Sequence, residues 1–129
     1  MASVQDRRVV SRYLQGAAGD TPSAYIRNPY GARARIVEVN ILPRVTSAAS
    51  GTNYTTGTLI NTDQAGATVV ARSTAATALT KGTLLSLTLT GTGRTLEVDA
   101  DESLEWDVTA AGSGVLFEYD LDVVFELVR

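Results

Sequence analysis

VLFEYDLDVVFELV, running from Val115 to Val128, decides how the rest of the chain is read. Taken by twos from Val115, the positions are Val115, Phe117, Tyr119, Leu121, Val123, Phe125 and Leu127, all apolar. Glu118, Asp120, Asp122 and Glu126 fall among the alternate positions. Period two is the signature of a strand with one face buried and one wet. A helix would scatter the same acids around its whole circumference. Fully extended, fourteen residues span roughly 46 Å, well beyond the ~14 Å radius of gyration of a domain this size. A bend or bulge near Asp120 to Val124 is therefore expected.

Working backward, similar alternation recurs at short intervals. Ser103 to Thr109 sets Leu104, Trp106 and Val108 against Glu105 and Asp107, and Thr83 to Thr90 sets Leu85, Leu87 and Leu89 against Ser86, Thr88 and Thr90. Gly91-Thr-Gly-Arg94 reads as a hairpin turn leading into a strand at Thr95 to Val98. Further strands are expected at Ile36 to Leu42, Tyr54 to Ile60 and Ala67 to Arg72. Seven or eight strands with no helix between them predict an all-β antiparallel sandwich of jelly-roll type over residues 36–129.

Residues 1–35 lack this pattern and are expected to form an arm, extended or partly helical. Ser3-Val-Gln-Asp6 resembles a capping box that would open a helix carrying Val10, Tyr13 and Leu14, with Gly16 as its stop. The segment is basic: up to Arg44 there are seven arginines against three acids, whereas Thr95 to Arg129 carries ten acids against one arginine. Ends of opposite sign predict that the arm docks on an acidic surface, whether its own, a neighbouring copy's or another protein's. Arg7, Arg8, Arg12, Tyr13, Tyr25, Arg27, Tyr30, Arg33 and Arg35 are the candidate contact residues. The arm is expected to be mobile in the free protein, and removing Met1 to Tyr30 to leave a folded β domain.

Chemistry finds little footing. Cysteine and histidine are absent, which removes the thiolate, the usual general base and the usual zinc ligand. Asp99, Asp101 and Glu102, with Asp63 or Asp107, lack the glycine and distal glutamate of a calcium loop. Gly91-x-Gly93 and Gly112-x-Gly114 lack the remainder of a phosphate cradle. The terminal acids form a row on one strand face without the asymmetric burial that separates an acid from a base, and a Ser–Lys dyad would have to use the single lysine, Lys81. Trp106 alternates with Leu104 and Val108, so a core position is expected over a sugar-stacking one. Arginines and tyrosines in the arm fit nucleic acid, but the acidic body opposes a polyanion. No run approaches a membrane-spanning length, so a soluble protein is expected, with no enzyme activity, metal or cofactor and with neither nucleic acid nor membrane as partner.

From Ala34 to Val128 the runs ARIVEVNILP, NYTTGTLINTDQAGATVVA and LTKGTLLSLTLTGTGRTLEVDADESLEWDVTAAGSGVLFEYDLDVVFELV resemble the small jelly-roll decoration, or cement, proteins of tailed-bacteriophage heads. The shared order is a Tyr-and-Thr strand, a loop, a Leu/Thr strand, a short strand, a tight turn before a leucine, a Gly-rich link and a long closing strand. Relatives often have Ala-Gly-Asp in that turn, where Asp101-Glu102 stands here. The resemblance implies a structural virion protein, made in the host cytoplasm and placed on the outer capsid surface. There it would bridge neighbouring major capsid protein subunits as a homotrimer, without cofactor. The alternative is a glycan- or receptor-binding module, and exposure of Trp106 discriminates the two.

Overall fold

The computed structural model describes residues 6–128. Nine strands run in chain order: β1 (Arg7–Gly16), β2 (Ser23–Arg27), β3 (Ala34–Pro43), β4 (Tyr54–Asn61), β5 (Ala67–Ser73), β6 (Leu85–Leu87), β7 (Glu97–Val98), β8 (Ser103–Ala111) and β9 (Phe117–Leu127). They make two sheets, one ordered β1-β9-β3-β6 with β7 also on β3, the other β2-β8-β4-β5. All pairings are antiparallel. Followed through the sequence, β4 with β5, β3 with β6, β2 with β8 and β1 with β9 are nested pairs, each enclosing the one before. A ribbon of nested pairs rolled until β9 meets β3 and β8 meets β4 is a jelly roll.

The inward positions of the closing strand behave as its alternation dictates. Phe117, Tyr119, Leu121, Val123 and Phe125 are buried, with Leu127 packed on the same core. β9 is central in its sheet, between β1 and β3, which is why it carries the longest apolar face. The expected bend is not a break in β9, which runs unbroken through Asp120 to Val124. The register instead shifts in β3 between Ile36 and Glu38, opposite Phe125 and Val124, so an extra residue in the neighbour supplies the local twist.

Two sequence expectations give way. The capping box at residues 3–6 falls mostly outside the described residues. The helix meant to carry Val10, Tyr13 and Leu14 is instead strand β1, paired with β9 over ten residues. β2 pairs with β8, so residues 7–16 and 23–27 are strands of the two sheets and not an arm beside them. The hairpin at Gly91 to Arg94 is also replaced. β6 pairs with Val39 to Ile41 and β7 with Ala34 and Arg35, so the two are pieces of one interrupted strand along β3. Between them residues 88–96 swing across to β5, where the Thr90 and Gly91 amides donate to Val69 O at 2.9 and 3.0 Å. Leu89 and Leu96 pack on the core from this detour, and that burial favours it over a hairpin standing in solvent.

A hydrogen-bonded aromatic pair lies in the core. Trp106, fully buried, donates from Nε1 to Tyr119 Oη at 2.9 Å, and the rings meet edge to face at 6.3 Å. Burial pushes the Tyr119 phenol up to about 12, the indole donor offsetting part of the shift. The folded state thus holds the proton more tightly than the unfolded chain, whose tyrosine titrates near ~10. Stability from this group is complete below about pH 10 and is lost as pH rises toward 12. The loss amounts to about 3 kcal/mol. Denaturant titrations of the wild type and Tyr119→Phe between pH 9 and 12 are expected to show the steeper fall in the wild type. Parallel curves would mean that Tyr119 ionises as freely folded as unfolded.

Candidate functional site

The nine candidate contact residues do not gather into one patch, because the strands that carry them go to different sheets. Arg8 and Arg12 close the seam between the β1 and β2 edges. Arg12 donates from Nε to Tyr25 O and from Nη1 to Ser11 O, both at 2.9 Å, and Arg8 donates to Pro29 O at 3.2 Å while lying 4.5 Å above the Tyr30 ring. Tyr30 is buried and donates to Asp6 O at 2.7 Å. Tyr25 and Arg27 lie on the outer face of the second sheet, where Arg27 pairs with Asp101 at 3.1 Å. Arg33 and Arg35 converge with Arg94 on the mostly buried Glu97, and Arg33 also meets Asp99 at 2.7 Å, a contact that raises its pKa. Arg7 pairs with Glu126 at 3.3 Å. The opposite charges of the two chain ends therefore meet within one molecule, the first of the three surfaces expected for them.

Register assembles a different surface, the outer face of the first sheet. Across β1, β9 and β3 its rows are Arg7, Glu126, Arg35; then Val9, Val124, Glu38; then Ser11, Asp122, Asn40; then Tyr13, Asp120, Leu42. Gln15 and Glu118 continue it, and the Arg44 amide donates to Glu118 O at 2.7 Å. Leu84 and Leu116 join by alternation, each preceding an inward residue, Leu85 and Phe117. Val9, Tyr13, Leu42, Leu84 and Leu116 are between 38% and 61% exposed, and they are five of the six exposed large apolar residues among those described. The sixth is Tyr25.

Tyr13 is exposed yet held. Its hydroxyl donates to Glu118 Oε2 and lies 3.0 Å from Gln15 Oε1, while Arg44 sits 5.4 Å from the ring centre. The hydrogen bond to Glu118 raises the Tyr13 pKa. Arg44 is fixed in turn by Asp120 at 2.9 Å, which raises its own pKa. Sequence reasoning placed the acids of β9 in one row but missed the apolar residues beside them. Their signal lies in leucines of the wrong parity: Leu42 beside inward Ile41, and Leu84 beside inward Leu85.

The other candidates resolve into structure. Asp99 and Asp101 are each met by an arginine, and Asp63 accepts from the Asp99 amide at 3.1 Å. Glu105 and Asp107 share a hydrogen bond on the outer face of β8 that raises the Glu105 pKa, and Ser23 Oγ donates to Asp107 at 2.7 Å. A cavity of about 10 Å³ lies between the sheets beside Trp106, Tyr119, Thr55 and Arg72, on the scale of a single water molecule. Arg72 is lowered in pKa by burial and donates to Ser73, Thr77 and Ala78 carbonyls, securing the loop after β5.

No protein-family model and no curated protein matches the chain. Among solved structures, a chain of infectious bursal disease virus strain Gt matches at 14% identity and a TM-score of 0.47, covering 94% of this chain and 32% of that one. The tymovirus of Desmodium yellow mottle matches at 7% identity and 0.39, covering 98% and 89%. A chain of Bacillus endospore appendages, described as disulfide-linked pili, matches at 13% and 0.38, covering 97% and 88%. This chain thus spans about a third of the bursal disease virus chain and most of the other two. At such identities it is the nested strand pairing within this chain that defines the fold as an all-β jelly-roll sandwich.

Proposed function

We propose that this chain is a structural virion protein that attaches to the outer surface of a phage head, as a homotrimer, and bridges neighbouring major capsid protein subunits. The observation that carries this reading is the concentration of exposed apolar side chains on one outer sheet face, a feature of interaction surfaces. The resemblance of residues 34–128 to phage-head decoration proteins supplies the partner, an argument by analogy. The two chain margins are partly closed from within by Arg12 and by the Thr90 and Gly91 amides. Contacts between copies would therefore use faces and loops more than strand edges.

The glycan-binding alternative loses its discriminating residue, because Trp106 is buried and hydrogen-bonded in the core. Co-sedimentation of the full chain with purified heads of the phage that encodes it tests the reading. Saturable binding at a fixed number of copies per head is expected, in sets of three. Absence of the protein from sedimented heads at every concentration would remove the proposal.

A further inference from the structure

The geometry points to the outer face of the first sheet as a docking surface for a protein partner that interleaves apolar side chains with lysine or arginine, with Tyr13 as the anchor. This rests on the interaction-protein reading above and assigns it a place and a chemistry. The apolar part is the group Val9, Tyr13, Leu42 and Leu84. Interleaved with it are five carboxylates, Asp120 between Tyr13 and Leu42, Asp122 in the row that separates these from Val9, and Glu38, Glu118 and Glu126 beyond, against three arginines, Arg7, Arg35 and Arg44.

The arginines are committed. Arg7 is bound to Glu126, Arg44 to Asp120, and Arg35 to Glu97 on the neighbouring strand. Three of the carboxylates take hydroxyl donors instead: Asp122 from Ser11 at 2.5 Å, Glu118 from Tyr13, and Glu38 from Ser86 at 3.4 Å. A hydroxyl orients a carboxylate without neutralising it, so the face stays negative between its apolar residues. Complementarity then selects a cationic partner. A second copy of the same face would bring two net-negative surfaces together. Nucleic acid and anionic lipid are disfavoured for the same reason.

Tyr13 suits the role of anchor because its exposed ring is already fixed by Glu118 from β9 and Arg44 beyond β3. A side chain ordered before binding loses little rotamer freedom on contact, and buried aromatics dominate interface energies. The outer face of the second sheet supplies an internal control. Its Glu105 and Asp107 are similarly acidic, but Asp107 stands between Ser23 and Thr58 and Glu105 between Tyr25 and the half-buried Ile60, with Tyr25 as the exposed large apolar residue.

The first experiment is a nuclear magnetic resonance titration of the full chain with a short synthetic peptide alternating arginine and leucine. Shifts are expected at Val9 to Tyr13, Asn40 to Leu42 and Asp120 to Val124, and they should weaken when serine replaces leucine in the peptide. Equal or larger shifts at Glu105 and Asp107 would overturn the assignment. The second measures binding to purified heads. Tyr13→Ala and Leu84→Ser are each expected to weaken it about tenfold or more, and Tyr25→Ala to leave it unchanged. Wild-type binding with undiminished Tyr13→Ala and Leu84→Ser would overturn the face while leaving the virion reading intact. A wild type that ignores heads would end that reading and leave the titration to decide the face.

Discussion

A chain lacking residues 1–30 is expected to lose cooperative folding, in contrast to the folded domain that an arm would leave behind. β1 supplies one neighbour of the closing strand along ten registered positions, and β2 supplies one neighbour of β8 along five. Their loss would make edges of two strands built as interior ones, β9 and β8. It would also remove Leu14, Ile26 and Tyr30 from the core, where they are between 0% and 6% exposed. Burying a side chain of this size contributes about 1.5–3 kcal/mol, so the three together contribute roughly 5–9 kcal/mol before any ladder hydrogen bond is counted. An ordinary domain has a net stability of only about 5–15 kcal/mol. Thermal melting followed by far-ultraviolet circular dichroism is expected to show a sigmoidal transition for the full chain and none for the truncated one. A truncated chain that melts cooperatively near the wild-type midpoint would show that β1 and β2 contribute little to the fold.

The difference between strand and arm at residues 7–16 has a local cause. Inward parity in β1 falls on Arg8, Val10, Arg12 and Leu14, opposite Phe125, Val123, Leu121 and Tyr119. Two of those four are arginines, because β1 lies at the open margin of the sandwich, where a long side chain can reach past the core to the carbonyls of Tyr25 and Pro29. Alternation that would mark a strand in β8 or β9 is therefore erased at this edge. β2 has clean alternation in Ala24 and Ile26 but is five residues long and followed closely by Pro29. The central strands were legible since both neighbours demand an apolar inner face. The segment 88–96 was not, because its glycines encode a local turn while its destination on Val69 is a long-range contact. The candidate face was half legible: each off-parity leucine is visible in its own strand, but only register shows that Leu42 and Tyr13 flank the same Asp120.

Gly57→Ala is expected to be among the most damaging single-methyl changes in the protein. Gly57 sits on the inner face of β4, paired with Val108 on β8 and Arg72 on β5. The indole of Trp106 lies directly over it. A Cβ built there would stand 2.1 Å from Cζ2, 2.6 Å from Cε2 and 2.9 Å from Nε1 of that ring. The indole has nowhere to retreat, since it is fully buried, edge-on to Tyr119, and the adjoining cavity measures about 10 Å³. Accommodating the methyl forces Trp106 from its seat, and overpacking of this kind costs about 1–3 kcal/mol. Movement of the ring also parts Nε1 from the Tyr119 hydroxyl. Two buried polar groups are then left without partners at about 1–3 kcal/mol each, for a total on the order of 5 kcal/mol. At an open position the same change would instead stabilise by about 0.4–1 kcal/mol, because alanine restricts the unfolded chain, so the sign alone is informative. Urea denaturation measures the loss, and iodide quenching of the single tryptophan reports its displacement: negligible in the wild type, pronounced in the variant. Trp106→Phe in the Gly57→Ala background is expected to recover part of the loss, since the smaller ring vacates the volume the methyl needs and the two changes couple through direct contact. A Gly57→Ala protein as stable as the wild type, with its tryptophan still shielded, would mean that the strand can shift enough to admit a side chain beneath the indole.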